Sequence, residues 1–464
     1  MTEEVAKRLK VIVLDDDPTG SQTVHSCPLL LRWDPDTLLR GLAHPSPLLF
    51  VLANTRALGP VEARERVVEI CRALKPRLAE AEAAGKIDRW LVVSRGDSTL
   101  RGHFPLEVEA IEQELGPFDA TLLAPAFLPG GRTTVDGVHL LHGEPVHTTP
   151  FARDRLFGFS TSHLPAWVEE KTGGRIPARE VHHLSLADLE AGQERLQQRL
   201  AALPAGAMAA VDAQEPRHLQ ALGAAVRVLS GPEAAQRLDR PRRFLFQSAA
   251  SLLNGLVSLP AQPRDARGLA KLRRRDPDGM PLPGLVLVGS HVPLADAQLA
   301  ALLETRGCSG VELPVAKLAR VVEGPAPQEL LASLEQQWLA ELQAVLACRG
   351  TPVLFTSRGE LHCSSSAERR RLGTELAALM ARLAARLAPG LGYLISKGGI
   401  TSHTLLADGL GLAAVELQGQ LLPGLSLVLT PADAAVPDLP VLTFPGNLGE
   451  AQTLLQAWEL MQAG

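Results

Sequence analysis

The 464-residue chain has few cysteines and no paired ones. Cys27, Cys71, Cys308, Cys348 and Cys363 are scattered without a CxxC spacing. That excludes a disulfide framework and a structural zinc site, and suits a reducing compartment. The opening Met1-Thr2-Glu3-Glu4 carries no apolar core of a secretory signal, so a cytoplasmic location is expected. Every apolar run is too short, or too broken by Gly, Pro and Arg, to span a bilayer. Long blocks of one charge sign are missing, and the net charge is −5. The one basic cluster, Arg273-Arg274-Arg275, runs at once into Asp276 and Asp278, which reads as a solvated linker and argues against a nucleic-acid partner. No internal repeat is present. There is no GxxxxGK[ST] loop and no strand-linked GxGxxG, so the standard nucleotide folds are not indicated.

What remains is a chain that is 46% hydrophobic, with strand-like and helix-like segments in alternation. Strands are expected at 11–14, 48–52, 90–93 and 120–124, with helices over 61–84 and 105–115. A helix over 183–203 and a strand over 207–212 follow. Residues 260–283 hold prolines, the arginine cluster and Asp276-Pro277-Asp278-Gly279, marking an exposed linker. A second alternating set begins at Leu285. The expected fold is α/β with two domains, 1–260 and 284–464, joined by 261–283. Each is a mostly parallel sheet flanked by helices, with the ligands meeting in an interdomain cleft.

Polar loops follow several apolar strands, where open α/β sheets collect their ligands. After the first strand come Asp15-Asp16-Asp17-Pro18-Thr19. Adjacent carboxylates repel, so their ionisation needs cations, a metal or hydrogen bonds. One of the three is expected to cap the turn and at least one other to contact a ligand. Asn54-Thr55-Arg56 ends the second strand, and Arg56 is either a fork for a substrate carboxylate or a surface residue. Ser94 to His103 presents Asp97, Ser98, Thr99 and Arg101 within ten residues, a mixture of little use in a core but suited to a polyhydroxylated anion. Gly130-Gly131-Arg132-Thr133 adds flexible backbone and two more donors.

In the second half Gly289-Ser290-His291, Lys397-Gly398-Gly399-Ile400-Thr401-Ser402, Pro423-Gly424 and Gly446-Asn447-Leu448-Gly449 also sit at strand ends or turns. Exposed backbone N–H groups at such turns suit phosphates. Lys397 either neutralises a phosphate or lies in water. Separately, Asp15-x-Asp17-x-Thr19 is similar to the start of haloacid-dehalogenase-type phosphatases, with Asp15 as nucleophile and Asp17 as general acid. The downstream acidic motif is missing, because Arg101 stands where a carboxylate is expected.

Taken in order, Asp16-Asp17-Pro18-Thr19-Gly20, Asp97 to Gly102, Ala124 to Thr133, Gly289-Ser290, Gly398-Gly399-x-Thr401-Ser402 and Gly446-Asn447-x-Gly449 resemble the four-carbon acid sugar kinase family from about Val11 to Glu450. The resemblance implies a sugar-acid-binding first domain and a nucleotide-binding second one. The activity implied is Mg²⁺- and ATP-dependent phosphorylation of a terminal hydroxyl of threonate, erythronate or 3-oxo-tetronate. On this reading Asp16 or Asp97 accepts the hydroxyl proton. The substrate is held among Asp17, Thr19, Arg56, Ser98, Thr99, Arg101, Arg132 and Thr133. Nucleotide contacts fall on Ser290, Gly398, Gly399, Ile400, Thr401, Gly424, Gly446 and Asn447, and no metal ligands are assigned. The expected partners are a small sugar acid and at most a second copy of the chain as a homodimer, with no nucleic acid and no membrane. Three features depart from the family pattern. Ile400 replaces a frequent aspartate, Phe444-Pro445 replaces Lys-Ser, and Asp15 stands where a small residue is common. The Ile400 departure supports an alternative, a sensor that binds acid and nucleotide without turnover.

Overall fold

The computed structural model describes residues 9–21, 23–236, 238–322, 327–358 and 366–464. Cys363 and the acidic residues 1–4 lie outside them. Contacts divide the chain into two compact units, Met1–Ala261 and Gln262–Gly464.

The first unit is built on eight strands: Leu9–Asp15 (β1), Cys27–Leu30 (β2), Leu48–Leu52 (β3), Arg89–Arg95 (β4), Ala120–Ala124 (β5), His182–Leu184 (β9), Ala207–Val211 (β10) and Phe244–Ser248 (β11). They lie in the order β2-β3-β1-β4-β11-β5-β10-β9, and every neighbouring pair is parallel. The central strands are apolar runs buried on both faces, as a helix-covered parallel sheet requires. The helix Pro60–Ala83 buries Val67, Ile70, Cys71, Leu74 and Leu78 along one stripe, and Pro60 opens it. Three short strands, Arg132–Val135 (β6), Val138–Leu141 (β7) and Glu144–Pro145 (β8), form a separate antiparallel sheet.

The expected helix over 183–203 is three elements instead. His182–Leu184 is the edge strand beside β10. Ser185 and Asp188 then cap the short helix Leu186–Glu190 reciprocally. Gly192, at φ +94, breaks the chain before Gln193–Ala201.

The second unit holds Gly284–Val288 (β12), Cys308–Leu313 (β13), Thr351–Thr356 (β14), Tyr393–Lys397 (β15), Ala414–Leu422 (β16), Leu425–Leu429 (β17) and Pro440–Phe444 (β18). Their order is β13-β14-β12-β15-β18-β17-β16, parallel from β13 to β18 and antiparallel through the β17–β16 hairpin. Residues 262–283, read from composition as an exposed linker, pack onto this unit. Leu269 and Ala270 enter its core. Arg273, 8% exposed, donates to the carbonyls of Leu282, Met461 and Gln462 and lies over the Tyr393 ring. Arg274 donates to the carbonyls of Ala388 and Leu391. These guanidiniums tie together carbonyls of the segment after residue 262, the β15 approach and the C-terminal helix, a role invisible in composition. No helix among the described residues is long and apolar enough to cross a membrane.

Candidate active site

The carboxyl ends of β1, β3 and β4 bring the acidic and basic motifs together. Arg56 presents its fork to Asp16, with Nε 2.9 Å from Oδ2 and Nη2 2.5 Å from Oδ1. Its Nη1 reaches Asp17 at 3.2 Å and lies 4.0 Å from Asp97. The bidentate edge expected to hold a substrate carboxylate is therefore already filled, and Arg56 acts as the counter-charge of an acidic cluster. Asp17 caps its own turn, accepting from the Thr19 backbone N–H at 2.8 Å and the Thr19 hydroxyl at 2.5 Å. Burial alone would raise Asp17. The Arg56 charge and the Thr19 hydrogen bonds outweigh that and hold it below the usual carboxylate range.

Asp15 is 1% exposed, and burial pushes it up to about 7, with Arg95 in partial opposition. Gly20 closes over it, since a Cβ there would fall 2.1 Å from its carboxylate. A nucleophile needs to be ionised and reachable, and Asp15 is enclosed and disfavoured in its charged form, so it is poorly placed for the phosphatase role. Asp16 is also raised by burial, against the pull of Arg56 and Arg95. Beside it, the buried Glu107 accepts from the Thr55 hydroxyl and is pushed up to about 7 by burial and by Asp16.

The loop after β4 carries Asp97, which accepts from Arg101 Nε at 2.7 Å and from the Thr99 hydroxyl. Burial opposes its charge, but Arg56 and Arg101 override this and hold Asp97 well below the usual range. It is a poor proton acceptor and a strong anchor for Arg101. The backbone of Ser98 is fixed by His139, a residue the sequence reading passed over. His139 Nε2 lies 2.8 Å from the Ser98 carbonyl and Nδ1 2.9 Å from the Thr134 hydroxyl. Burial lowers this imidazole to about 4, so it is neutral and serves as a strut. Arg132 donates to the Gly130 carbonyl at 2.6 Å and keeps a buried, unpartnered Nε. Thr133 pairs with Leu140 in the β6–β7 hairpin.

Beside this loop lies a small recess whose lining mixes Asp97, Arg101, Gln247 and Ser248 with apolar walls such as Phe104 and Trp167. Asp16 stands behind it, with its Oδ2 3.6 Å from where a Gly102 Cβ would sit. Gln247 and Ser248 were missed in the sequence, although they end an apolar strand as the chosen motifs do. Trp167 comes from the helix Leu164–Lys171 and left no local signal.

In the second unit the ends of β12, β14, β15 and β18 gather the glycine turns. A Cβ on Gly446 would fall 2.5 Å from Ser290 Oγ, and one on Gly289 would fall 2.1 Å from Thr401 Oγ1. Gly398, at φ +122, opens the helix Gly399–Thr404, and a Cβ there would meet the same two residues, Ser290 and Thr401. Ser290, Gly398, Thr401 and Gly446 thus form one close-packed cradle in which glycine backbone faces the Ser290 and Thr401 side chains, with Ile400 47% exposed. Asn447 is exposed in the same loop. Gly424 is not part of the cradle: it turns the β16–β17 hairpin at φ +79 and packs on Leu448. Lys397 is neither in water nor free for a phosphate. It is fully buried, with Nζ 3.0 Å from the Pro445 carbonyl and 3.8 Å from the Phe444 ring centre, and burial lowers it to about 7. Arg358, unnoticed in the sequence, ties down the β12 loop through the Ser290 carbonyl at 2.5 Å and Asp296 at 3.0 Å.

A recess with charged and polar walls at the sheet end of one unit and a cluster of glycine turns at the sheet end of the other are the features of a two-domain enzyme of small ligands. Comparison with known proteins narrows this class. Residues 11–256 match the sugar-binding N-terminal domain and residues 285–454 the nucleotide-binding C-terminal domain. The chain is 29% identical over 410 residues to a D-threonate kinase of Cupriavidus necator, spanning 85% of this chain and 88% of that one. It is 27% identical over 461 residues to a D-threonate kinase of Salmonella typhimurium, spanning 97% of both. The crystal structure of Haemophilus influenzae protein HI1011 shares the fold, with a TM-score of 0.61 at 18% identity over 98% of this chain and 99% of that one. The chain belongs to the four-carbon acid sugar kinase family, and it is a nucleotide-using sugar-acid kinase.

Proposed function

We propose that this chain transfers the γ-phosphoryl group of MgATP to the terminal hydroxyl of a four-carbon sugar acid. D-threonate is the first candidate, ahead of erythronate and 3-oxo-tetronate, because three relatives that each match 82% or more of the chain are D-threonate kinases. The observation that carries the reading is the recess itself, which sets a guanidinium and a carboxylate beside neutral polar groups at a strand end. Arg101 and Arg132 supply the donors left for a substrate carboxylate, since Arg56 is occupied by Asp16, Asp17 and Asp97. Asp16, with its raised affinity for a proton, is the better candidate to accept the hydroxyl proton. Phosphoryl transfer asks for positioning and charge stabilisation more than covalent help, which suits such a site.

The cradle of Ser290, Gly398, Thr401 and Gly446 suits a nucleotide's phosphates, because its glycines bring the Ser290 and Thr401 hydroxyls and neighbouring backbone N–H groups close together at one sheet end. Among the described residues no group of three or more His, Cys, Asp or Glu is placed to hold a metal ion. In this reading Mg²⁺ enters as part of the MgATP substrate. The test is ADP release from MgATP across a panel of four-carbon acids. Selective, acid-dependent release with D-threonate is expected. Acid binding without ADP release would favour the sensor, and release of phosphate from sugar-acid phosphates without regard to ATP would favour a phosphatase.

A further inference from the structure

We propose that Trp167, Gln247 and Ser248 read the non-reacting hydroxyls of the sugar acid and thereby select which acid is phosphorylated. The inference rests on the kinase reading above and extends it to residues with no assigned role. The Trp167 indole nitrogen, Gln247 Oε1 and Ser248 Oγ are all buried with no hydrogen-bond partner, and all three residues line the same recess. Trp167 is 2% and Ser248 3% exposed. A buried polar atom left unpaired is destabilising, so three around one recess call for a common explanation. A bound polyol supplies it. The indole N–H donates, the amide oxygen accepts and the serine hydroxyl does either, which matches hydroxyls that each donate once and accept.

The wall is also rigid. Trp167 stacks on Phe104 with centroids 4.6 Å apart and planes at 28°. Gln247 and Ser248 end β11, which is held between β4 and β5, and the Ser248 carbonyl accepts from the Gly96 N–H at 2.8 Å. Gly96 lets the amide approach, because a Cβ there would fall 2.8 Å from Gln247 Nε2. The labour within the recess then divides by charge. Arg101, anchored by Asp97, handles the ionic end of the ligand, and the neutral wall handles its middle hydroxyls. A site built to pair a hydroxyl discriminates strongly against the analogue that lacks it.

The test compares wild type with Ser248→Ala and Trp167→Phe, the latter keeping the stacked ring while removing the N–H. Three acids are used: D-threonate, D-erythronate and 4-hydroxybutanoate, which keeps the carboxylate and terminal hydroxyl but lacks both middle hydroxyls. Each variant should lower kcat/KM for the preferred tetronate roughly tenfold or more while changing that for 4-hydroxybutanoate less than about twofold. Equal proportional losses for all acids, or no loss for the tetronate, would overturn the proposal. If wild type releases no ADP with any acid, the kinase reading fails by itself. Calorimetric binding of the tetronates then decides: weaker binding in the variants upholds the wall, and equal binding or none rejects it.

Discussion

The sharpest consequence of the cradle concerns Gly289. Its N–H donates to the Lys397 carbonyl at 3.1 Å, which locks the end of β12 to the end of β15. A Cβ at this position would lie 2.1 Å from Thr401 Oγ1 and 3.3 Å from Thr401 Cβ, against an ordinary contact of at least 3.4 Å. Thr401 is buried in the first turn of its helix, and its β-branched side chain has little rotameric freedom there. Gly289→Ala therefore forces the β12 loop and the helix start apart by about an ångström. Overpacking of this kind costs about 1–3 kcal/mol. If the strain falls on the phosphate-binding geometry, ADP affinity drops by roughly 5- to 150-fold. Calorimetric titration with ADP measures this, D-threonate titration serves as the control in the other unit, and a thermal unfolding curve reports any loss of fold. An ADP affinity within twofold of wild type, with an unchanged unfolding transition, would show that the nucleotide does not bind at this turn.

Two further outcomes follow from the charges. Asp97→Asn removes the anchor of Arg101 and one of three carboxylates around Arg56, so kcat/KM for the sugar acid should fall at least about 100-fold while ADP affinity stays within twofold; equal loss of both would contradict the division of ligands between the units. Lys397 has a folded-state pKa of about 7 against 10.5 for the ordinary side chain. Between those values the unfolded chain holds a proton that the native one has lost, so this residue's contribution to stability rises with pH and is least favourable below pH 7. In denaturant titrations the stability of wild type relative to Lys397→Met should therefore rise by about 2 kcal/mol between pH 7 and pH 9, and a difference that stays flat or falls would show that Lys397 is charged in the native state.

The alternation of elements and the loops at strand ends were legible in the sequence because burial on both faces of a parallel sheet demands apolar runs, and polar residues straight after such a run stand out. Asp97, Arg101, Ser290 and Gly398 are found this way. The roles of Arg56, Lys397 and Arg273 were not legible, for one shared reason. Each is a cation whose partner is distant in sequence: Asp16 for Arg56, the Pro445 carbonyl for Lys397, the Met461 and Gln462 carbonyls for Arg273. A sequence shows which groups can donate or accept but not which of them the fold has already satisfied. Arg56 and Lys397 look free for a ligand in the sequence and are spoken for in the structure. Gln247 sits at the end of what reads as an ordinary core strand, Trp167 on a short helix, and both keep a buried polar atom that the protein leaves unpaired. Groups left unsatisfied by the fold are the ones open to a ligand, so the residues proposed to choose the substrate emerge only when the internal pairings are subtracted from the inventory, a step that needs the coordinates.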